Sequence, residues 1–215
     1  MSKFDLVTEK FASVPYMREA QAAALRELII ANQAENILEI GFYQGKSSTY
    51  IAAILEDQKR GHLTTIDLKS AVARKPNIHD LLDACDLAHR VTPVIAHRSY
   101  TWELQKMIHA GGQRFDFCYF DGGHTWDGTG FGVLLVDMLL KPGGILLLDD
   151  MSWSIAGSPY FQSKPALAER YSEDEAATET VRRVSELILP HLGYTMEQEL
   201  TELRWGVARK ARTAR

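Results

Sequence analysis

Ile37-Leu38-Glu39-Ile40-Gly41-Phe42-Tyr43-Gln44-Gly45-Lys46-Ser47-Ser48 decides the fold. A short run of strand character gives out at one glycine, a second glycine follows, and two serines stand where a helix can begin. Two glycines between a buried strand and a helix allow a tight turn and close approach of backbone to a ligand. The unit recurs along the chain. Apolar runs at 62–68, 91–96, 115–120 and 145–148 alternate with stretches of helical period, the pattern of a parallel sheet covered by helices.

Working outward, a helix over 17–32 with Leu25, Leu28 and Ile29 on one face lies within a helical lead-in, 1–35. Ser47 and Ser48 offer N-caps for a helix through Ile51, Ile54 and Leu55. Pro76 suits a first helical turn, and Ile78, Leu81, Leu82 and Cys85 follow at i, i+3, i+4 and i+7. A helix over 102–109 closes at Gly111-Gly112, and another is expected to end at Lys141-Pro142-Gly143-Gly144. Residues 151–176 hold Trp153, Tyr160, Phe161 and Tyr171 among Ser, Gly and Pro without a period, which reads as a lid or insertion. A helix over 175–189 precedes two runs, 194–199 and 203–208, that read as a closing hairpin. Residues 209–215 are basic, have no apolar anchor and read as a tail. The expected fold is α/β: a Rossmann-like, seven-stranded, mostly parallel sheet in a single domain, 1–215, with helices on both faces and a C-terminal antiparallel hairpin.

With 215 residues, 46% of them hydrophobic, the chain can bury a substantial core. A formal charge of -4 leaves no broad basic field, so no nucleic-acid partner is expected and a small molecule is favoured. Cys85 and Cys118 lie in apolar surroundings without zinc-like spacing, which fits a reducing compartment. The N-terminus lacks a signal-peptide pattern, and no apolar run approaches the ~20 residues that cross a bilayer. The expectation is a cytoplasmic protein with no membrane partner; a homo-oligomer is compatible with all of this.

Two carboxylate clusters, Asp121-Gly122-Gly123-His124 and Asp149-Asp150, follow directly on strand-like runs and would open at one edge of the sheet, where such folds bind ligands. Asp67, at the end of the neighbouring strand, is placed to accept hydrogen bonds from both hydroxyls of a ribose. A dinucleotide fingerprint would read Gly-x-Gly-x-x-Gly, but Tyr43 occupies its second glycine position and leaves less room for a pyrophosphate.

At Glu39, Ile40, Gly41, Gly45 and Ser47 the chain resembles the class I S-adenosylmethionine-dependent methyltransferases, most closely the small O-methyltransferases of catechol and caffeoyl-CoA type, which carry Glu-Ile-Gly-x-x-x-Gly-x-Ser. The resemblance covers about residues 17–150, and the closing hairpin also fits. It implies Glu39 and Gly41 near the methionine moiety of the cofactor, Ser47 near its carboxylate, Asp67 at the ribose and Ser99 near the adenine, with Phe42, Gly45 and Asp121 also among the cofactor-binding residues and Asp121 among the catalytic ones.

Two full charges ~4 Å apart repel by about 4 kcal/mol at an effective dielectric of 20, so converging aspartates call for a divalent cation or for protons. Oxygen ligands favour magnesium. The resemblance implies the same, with the ion at Asp121, Asp149 and Asp150. His124 stands where catechol-type enzymes carry a lysine base, and Asp-Gly-x-His is similar to macrocin-type sugar O-methyltransferases and cephalosporin-hydroxylase-like proteins. A neutral imidazole can take a proton at cellular pH. The leading expectation is methyl transfer from S-adenosylmethionine to a hydroxyl of a small-molecule acceptor. His124 would be the base with Asp121 beside it, assisted by a divalent metal, for which the ligand type favours magnesium. Four alternatives stay open: a metal-independent methyltransferase, an oxidation of cephalosporin-hydroxylase type, a nicotinamide-dependent oxidoreductase and a noncatalytic adenosine-binding module.

Overall fold

The computed structural model describes residues 1–212. Those residues form one seven-stranded sheet of order β3-β2-β1-β4-β5-β7-β6. The strands are β1 (Asn36–Ile40), β2 (His62–Leu68), β3 (Val91–Ala96), β4 (Phe115–Phe120), β5 (Leu140–Leu148), β6 (Tyr194–Leu200) and β7 (Trp205–Lys210). The first five are parallel, and β7 runs antiparallel to both β5 and β6. The helices are α1 (Lys3–Lys10), α2 (Glu19–Ala31), α3 (Lys46–Asp57), α4 (Lys69–Val72), α5 (Ile78–Ala84), α6 (Tyr100–His109), α7 (Trp126–Leu139), α8 (Pro159–Gln162), α9 (Pro165–Ala168), α10 (Glu173–Ala177) and α11 (Thr180–His191). Among the described residues no helix is long and apolar enough to cross a membrane.

Side-chain alternation sorts the strands into two cores. Ile37, Phe117 and Ile145 stand in register across β1, β4 and β5, and with α1, α2, α3 and α5 they bury Phe4, Leu25, Ile29, Ile51 and Leu81. Their neighbours Leu38, Cys118 and Leu146 face the other way, against Val133, Val136, Val181 and Val184 of α7 and α11. The two cysteines are buried and unpaired, as their apolar surroundings lead one to expect.

Several boundaries differ from those the sequence suggests. α1 is an addition; Ser2 caps it through a reciprocal bond with Asp5, and the amides of Lys3 and Phe4 donate to the Asp57 carboxylate at the end of α3. α3 starts one residue before Ser47, and its cap is Gly45 at φ 95, where a Cβ would stand 2.6 Å from the Cα of Ile78. Ser47 and Ser48 are therefore first-turn residues and not caps. Asn77 caps α5, accepting from the amides of His79 and Asp80, so Pro76 precedes the helix. Lys141-Pro142-Gly143-Gly144 does not end a helix: α7 stops at Leu139, and these residues lie in β5, where buried Leu140 pairs with Phe115 across a register shift. The hairpin strands reach further than expected, to Leu200 and Lys210. Arg209 and Lys210 are anchored, Arg209 by Glu197, Asn32 and the Gly143 carbonyl, Lys210 by Asp137 and the Leu140 carbonyl. Of the expected tail only 211–212 are described beyond the strand, and 213–215 lie outside the described residues.

The parallel ladder continues past the strand ends. The Gly41 amide donates to the Ile66 carbonyl at 2.8 Å, that of Asp121 to Ile40 at 2.8 Å and that of Asp149 to Phe120 at 3.0 Å. Gly41, at φ 87, lies so close to β4 that a Cβ there would run into the Asp121 carbonyl oxygen. Gly41→Ala should therefore lower unfolding free energy by about 2–4 kcal/mol, from left-handed strain plus displacement of the Asp121 backbone. Urea denaturation checks this, and a loss below about 0.5 kcal/mol would show that the strand tips are not packed as tightly as described.

Candidate active site at the carboxyl edge of the sheet

The tips of β1, β2, β4 and β5 border a cleft of about 1070 Å3. Its walls include Gly41, Phe42, Lys46, Ser47, Asp67, Ser99, Asp121, His124, Asp149 and Asp150. Most of the residues singled out in the sequence thus share one cavity; Glu39 and Gly45 do not.

Asp67 holds the glycine turn in shape. Its Oδ2 accepts from the amides of Phe42 and Tyr43 at 2.8 and 2.7 Å, and its Oδ1 from the amide of Leu68 at 2.6 Å. A carboxylate oxygen has two lone pairs, so these bonds leave acceptor capacity on the cleft side. Glu39 lies beneath the turn, fully buried, and accepts from the hydroxyls of Ser48 and Thr65. Its other oxygen, Oε1, has no partner, and burial above all pushes its carboxyl up to about 7. Position and burial make Glu39 a prop of the cleft floor, not a lining residue. Ser99 both caps α6, accepting from the Thr101 amide at 3.2 Å, and lines the cleft.

At the reacting end the three aspartates do not converge. Asp149 is buried, and its Oδ2 accepts from the Tyr119 hydroxyl at 2.5 Å while Oδ1 accepts from Trp205 Nε1 at 2.9 Å and from the Asp150 amide at 2.7 Å. Burial, then the charge of Asp121, pushes its carboxyl up to about 7. Asp150, at φ 56, turns away from it, and Arg204 lies 3.2 Å from its Oδ1. Among the described residues no three His, Cys, Asp or Glu side chains are grouped so as to hold one ion. Asp121, Asp149 and Asp150 as they stand do not fit a magnesium ion, because they are not gathered on one point and Tyr119, Trp205 and the Asp150 amide take three of the four acceptor positions of Asp149.

His124 takes the central place. Its Nε2 lies 3.5 Å from Asp121 Oδ1 and 3.5 Å from Asp150 Oδ2, is buried, and is hydrogen-bonded to neither. Burial lowers its pKa below the ordinary histidine value, against the opposing pull of Asp150 and Asp149. The Asp121 carboxyl is held well above the usual range by burial first and by the Asp150 charge second. The backbone around His124 is pinned: Thr180 donates to its carbonyl, Thr129 to that of Gly123 at 2.7 Å, and Tyr100 to that of Gly128 at 2.7 Å. Trp153 lies over the imidazole, ring centres 5.4 Å apart.

The mouth is built from segments that the sequence did not single out. Tyr16 and Met17 take left-handed φ of 61 and 44 on the cleft rim, and Tyr16 stands edge-on to Tyr43 at 4.9 Å. Arg18 donates to the Glu202 carbonyl at 2.9 Å, so the segment before α2 meets the turn between β6 and β7. Of the expected lid, Trp153 reaches His124 and meets Phe161 edge-on at 6.1 Å, Tyr160 and Tyr171 pack edge to face on Phe161, and none of the four lines the cleft. Tyr119 and Trp205 were also missed. Tyr119 carried a faint signal, a phenol inside an apolar strand next to an aspartate.

Structures with this architecture include an O-methyltransferase from Bacillus cereus in complex with SAH, 19% identical with TM-score 0.66, covering 96% of this chain and 89% of that one. Another is the O-methyltransferase TomG from Streptomyces achromogenes, involved in tomaymycin synthesis and in complex with SAM, 20% identical with TM-score 0.68, covering 98% and 90%. A provisionally assigned caffeoyl-CoA O-methyltransferase from Staphylococcus aureus is 20% identical with TM-score 0.69, covering 98% and 93%. No curated protein matches the sequence. The family described as "Methyltransferase domain" matches residues 38–151, more than half of the chain and all of the strand tips just described, and the protein belongs to that family.

Proposed function

We propose that the cleft binds S-adenosylmethionine and that the protein transfers its methyl group to a hydroxyl oxygen of a small molecule, with His124 as the base. The observation that carries this reading is the buried, unbonded Nε2 of His124 between two carboxylates on the wall of the cleft. A neutral imidazole so placed has a free lone pair for a proton, and Asp121 and Asp150 stabilise the imidazolium that forms. The cofactor supplies a methyl on a sulfonium: the acceptor oxygen attacks it, the S–CH3 bond breaks as the O–CH3 bond forms, and S-adenosylhomocysteine leaves. Two similar structures hold that cofactor or its product.

This chain's residues then have separate roles. Asp67 fixes the turn at Phe42 and Tyr43 and offers its remaining acceptor position, on Oδ1, to a ribose hydroxyl. Gly41 lets the backbone approach the ligand, and Phe42, Ser47 and Ser99 line the same side. Trp153 sets the plane of the imidazole and shields it from water. Alignment of two reactants is worth ~7–11 kcal/mol when geometry is good, so the protein needs no nucleophile of its own. A metal on the three aspartates has no part in this reading, since among the described residues they are not grouped so as to hold one ion.

The acceptor comes first in any test: a screen with labelled cofactor against phenols, sugars and small acids. With that acceptor, His124→Ala should slow methyl transfer by ~10²–10⁴-fold while S-adenosylhomocysteine still binds by calorimetry. Full retained rate would remove His124 as the base. Because burial lowers the His124 pKa, the wild-type rate should hold as pH falls through the ordinary histidine value near 6.5 and decline only below it, as the imidazole takes up a proton. The His124→Ala profile should lack that limb.

A chelator should leave the rate unchanged, and added magnesium should release no heat on titration. Asp149→Ala should instead cost stability, about 1–3 kcal/mol for each of the two buried donors it strands. A rate abolished by chelator and restored by magnesium would return the three-aspartate site.

A further inference from the structure

α7 is apolar on both its faces. Val133, Val136 and Leu139 are buried against the sheet, but the outer face carries Phe131, Leu134 and Met138 at i, i+3 and i+7, exposed by 55%, 40% and 53%. The charged residue exposed on that face is Asp127, in the first turn, while Asp137 turns to Lys210. A helix that is apolar all round is normally covered all round. The stripe continues onto α11. Ile188 packs so close to α7 that a Cβ on Gly130 would stand 3.0 Å from it, and the next residue, Leu187, is 57% exposed. Gly132 draws in α6 from the other side, since a Cβ there would meet the Tyr100 hydroxyl at 2.7 Å. The three helices thus form one close layer with an apolar middle. Single exposed apolar residues are ordinary, whereas a contiguous set marks a surface that meets a partner.

We propose that this layer is the interface of a homodimer, with α7 of one copy lying antiparallel across α7 of the other. The area is sufficient. Four large apolar side chains, each about half exposed, offer on the order of 350–400 Å2 per copy. In a homodimer interface about 65% apolar, such a core implies about 1,100–1,200 Å2 over both copies, above the ~1,000 Å2 that a specific interface needs. The charges favour a second copy in this orientation. α6 and α7 each follow a parallel strand and α11 starts beside His124, so all three helices begin at the carboxyl edge and run the same way. Along each flanking helix the charge changes sign, from Arg183 to Glu186 on α11 and from Glu103 to Lys106 and His109 on α6. A two-fold axis near Leu134 lays each helix on its mate in the opposite direction, which opposes unlike charges and antiparallel helix dipoles. The interface would also back the loop of the proposed base, because α7 starts two residues after His124 and Thr180 of α11 donates to the His124 carbonyl.

Sedimentation of the full chain at micromolar concentration tests this. Wild-type protein should run at twice the mass of one chain. Leu134→Glu, which sets two carboxylates near the axis, should raise the dissociation constant ~30-fold or more. Ile30→Glu, on an exposed position of α2 across the sheet, should leave the dimer intact. Leu134→Cys should give a disulfide-linked pair when a thiol oxidant is added, as the two native cysteines are buried. A wild-type chain that stays single overturns the proposal and leaves the stripe to a different protein. A dimer that survives Leu134→Glu, or one that Ile30→Glu breaks, overturns the placement on α7. Should Leu134→Glu fail to fold, Met138→Lys takes its place: loss of the dimer supports the interface and a retained dimer overturns it.

Discussion

The register of four parallel strands is the constraint on which the rest depends. Ladder bonds run on past the strand ends, from Gly41 to Ile66, Asp121 to Ile40 and Asp149 to Phe120, and they fix the tips of β2, β1, β4 and β5 side by side. Each tip carries a carboxylate at or next to its end: Asp67, Glu39, Asp121, and the pair Asp149 and Asp150. Sheet geometry therefore concentrates negative charge whether or not a ligand is present. Strands in a sheet are about 4.8 Å apart, a distance at which like charges in a low dielectric repel strongly.

Each carboxylate is relieved differently, and the differences assign the roles. Glu39 is buried between two hydroxyls and raised to about 7, so burial relieves its charge in part and it holds the floor of the cleft. Asp67 accepts from three backbone amides, which hold it aimed. Asp149 is enclosed by Tyr119 and Trp205, and Asp150 is drawn to Arg204. Only Asp121 meets the cleft without a strong donor of its own, and its nearest cationic candidate is the imidazole of His124. A proton arriving at His124 thus relieves the repulsion that the register created, which is why the imidazole suits a base at this point better than it would on an open surface.

Period and composition made the central strands legible. The runs at 62–68, 91–96 and 115–120 coincide with β2, β3 and β4; β4, in the middle of the sheet, is buried on both faces and reads as a nearly unbroken apolar stretch, while β2 and the edge strand β3 keep that pattern only in part. Lys141 to Gly144 misled for a physical reason: Pro and Gly mark a helix stop locally, but Leu140 is pulled into the core and Lys141 to Asp116, so the strand begins early. α1 is only eight residues long, with Phe4 and Val7 on its buried face, and its place is also set by Asp57 more than fifty residues on. The candidate site was legible to the extent that it lies at strand ends. The partners of its aspartates were not, since Trp205 reaches Asp149 only through the antiparallel register of β7 on β5.

The same long-range pairing bears on the three-aspartate cation site that the strand-end positions and the family resemblance implied. Adjacent aspartates at a strand end suggest parallel aims, yet successive residues leave a strand in opposite directions. Asp149 still follows the pleat and points to the face of Tyr119 and Trp205, whereas Asp150, in the left-handed region, swings over the edge to Arg204 and His124. Their oxygens part because the backbone turns between them. A pair read as one ligand unit is, in three dimensions, two differently aimed residues on the cleft wall, and the chemistry of the cleft is accordingly concentrated on His124.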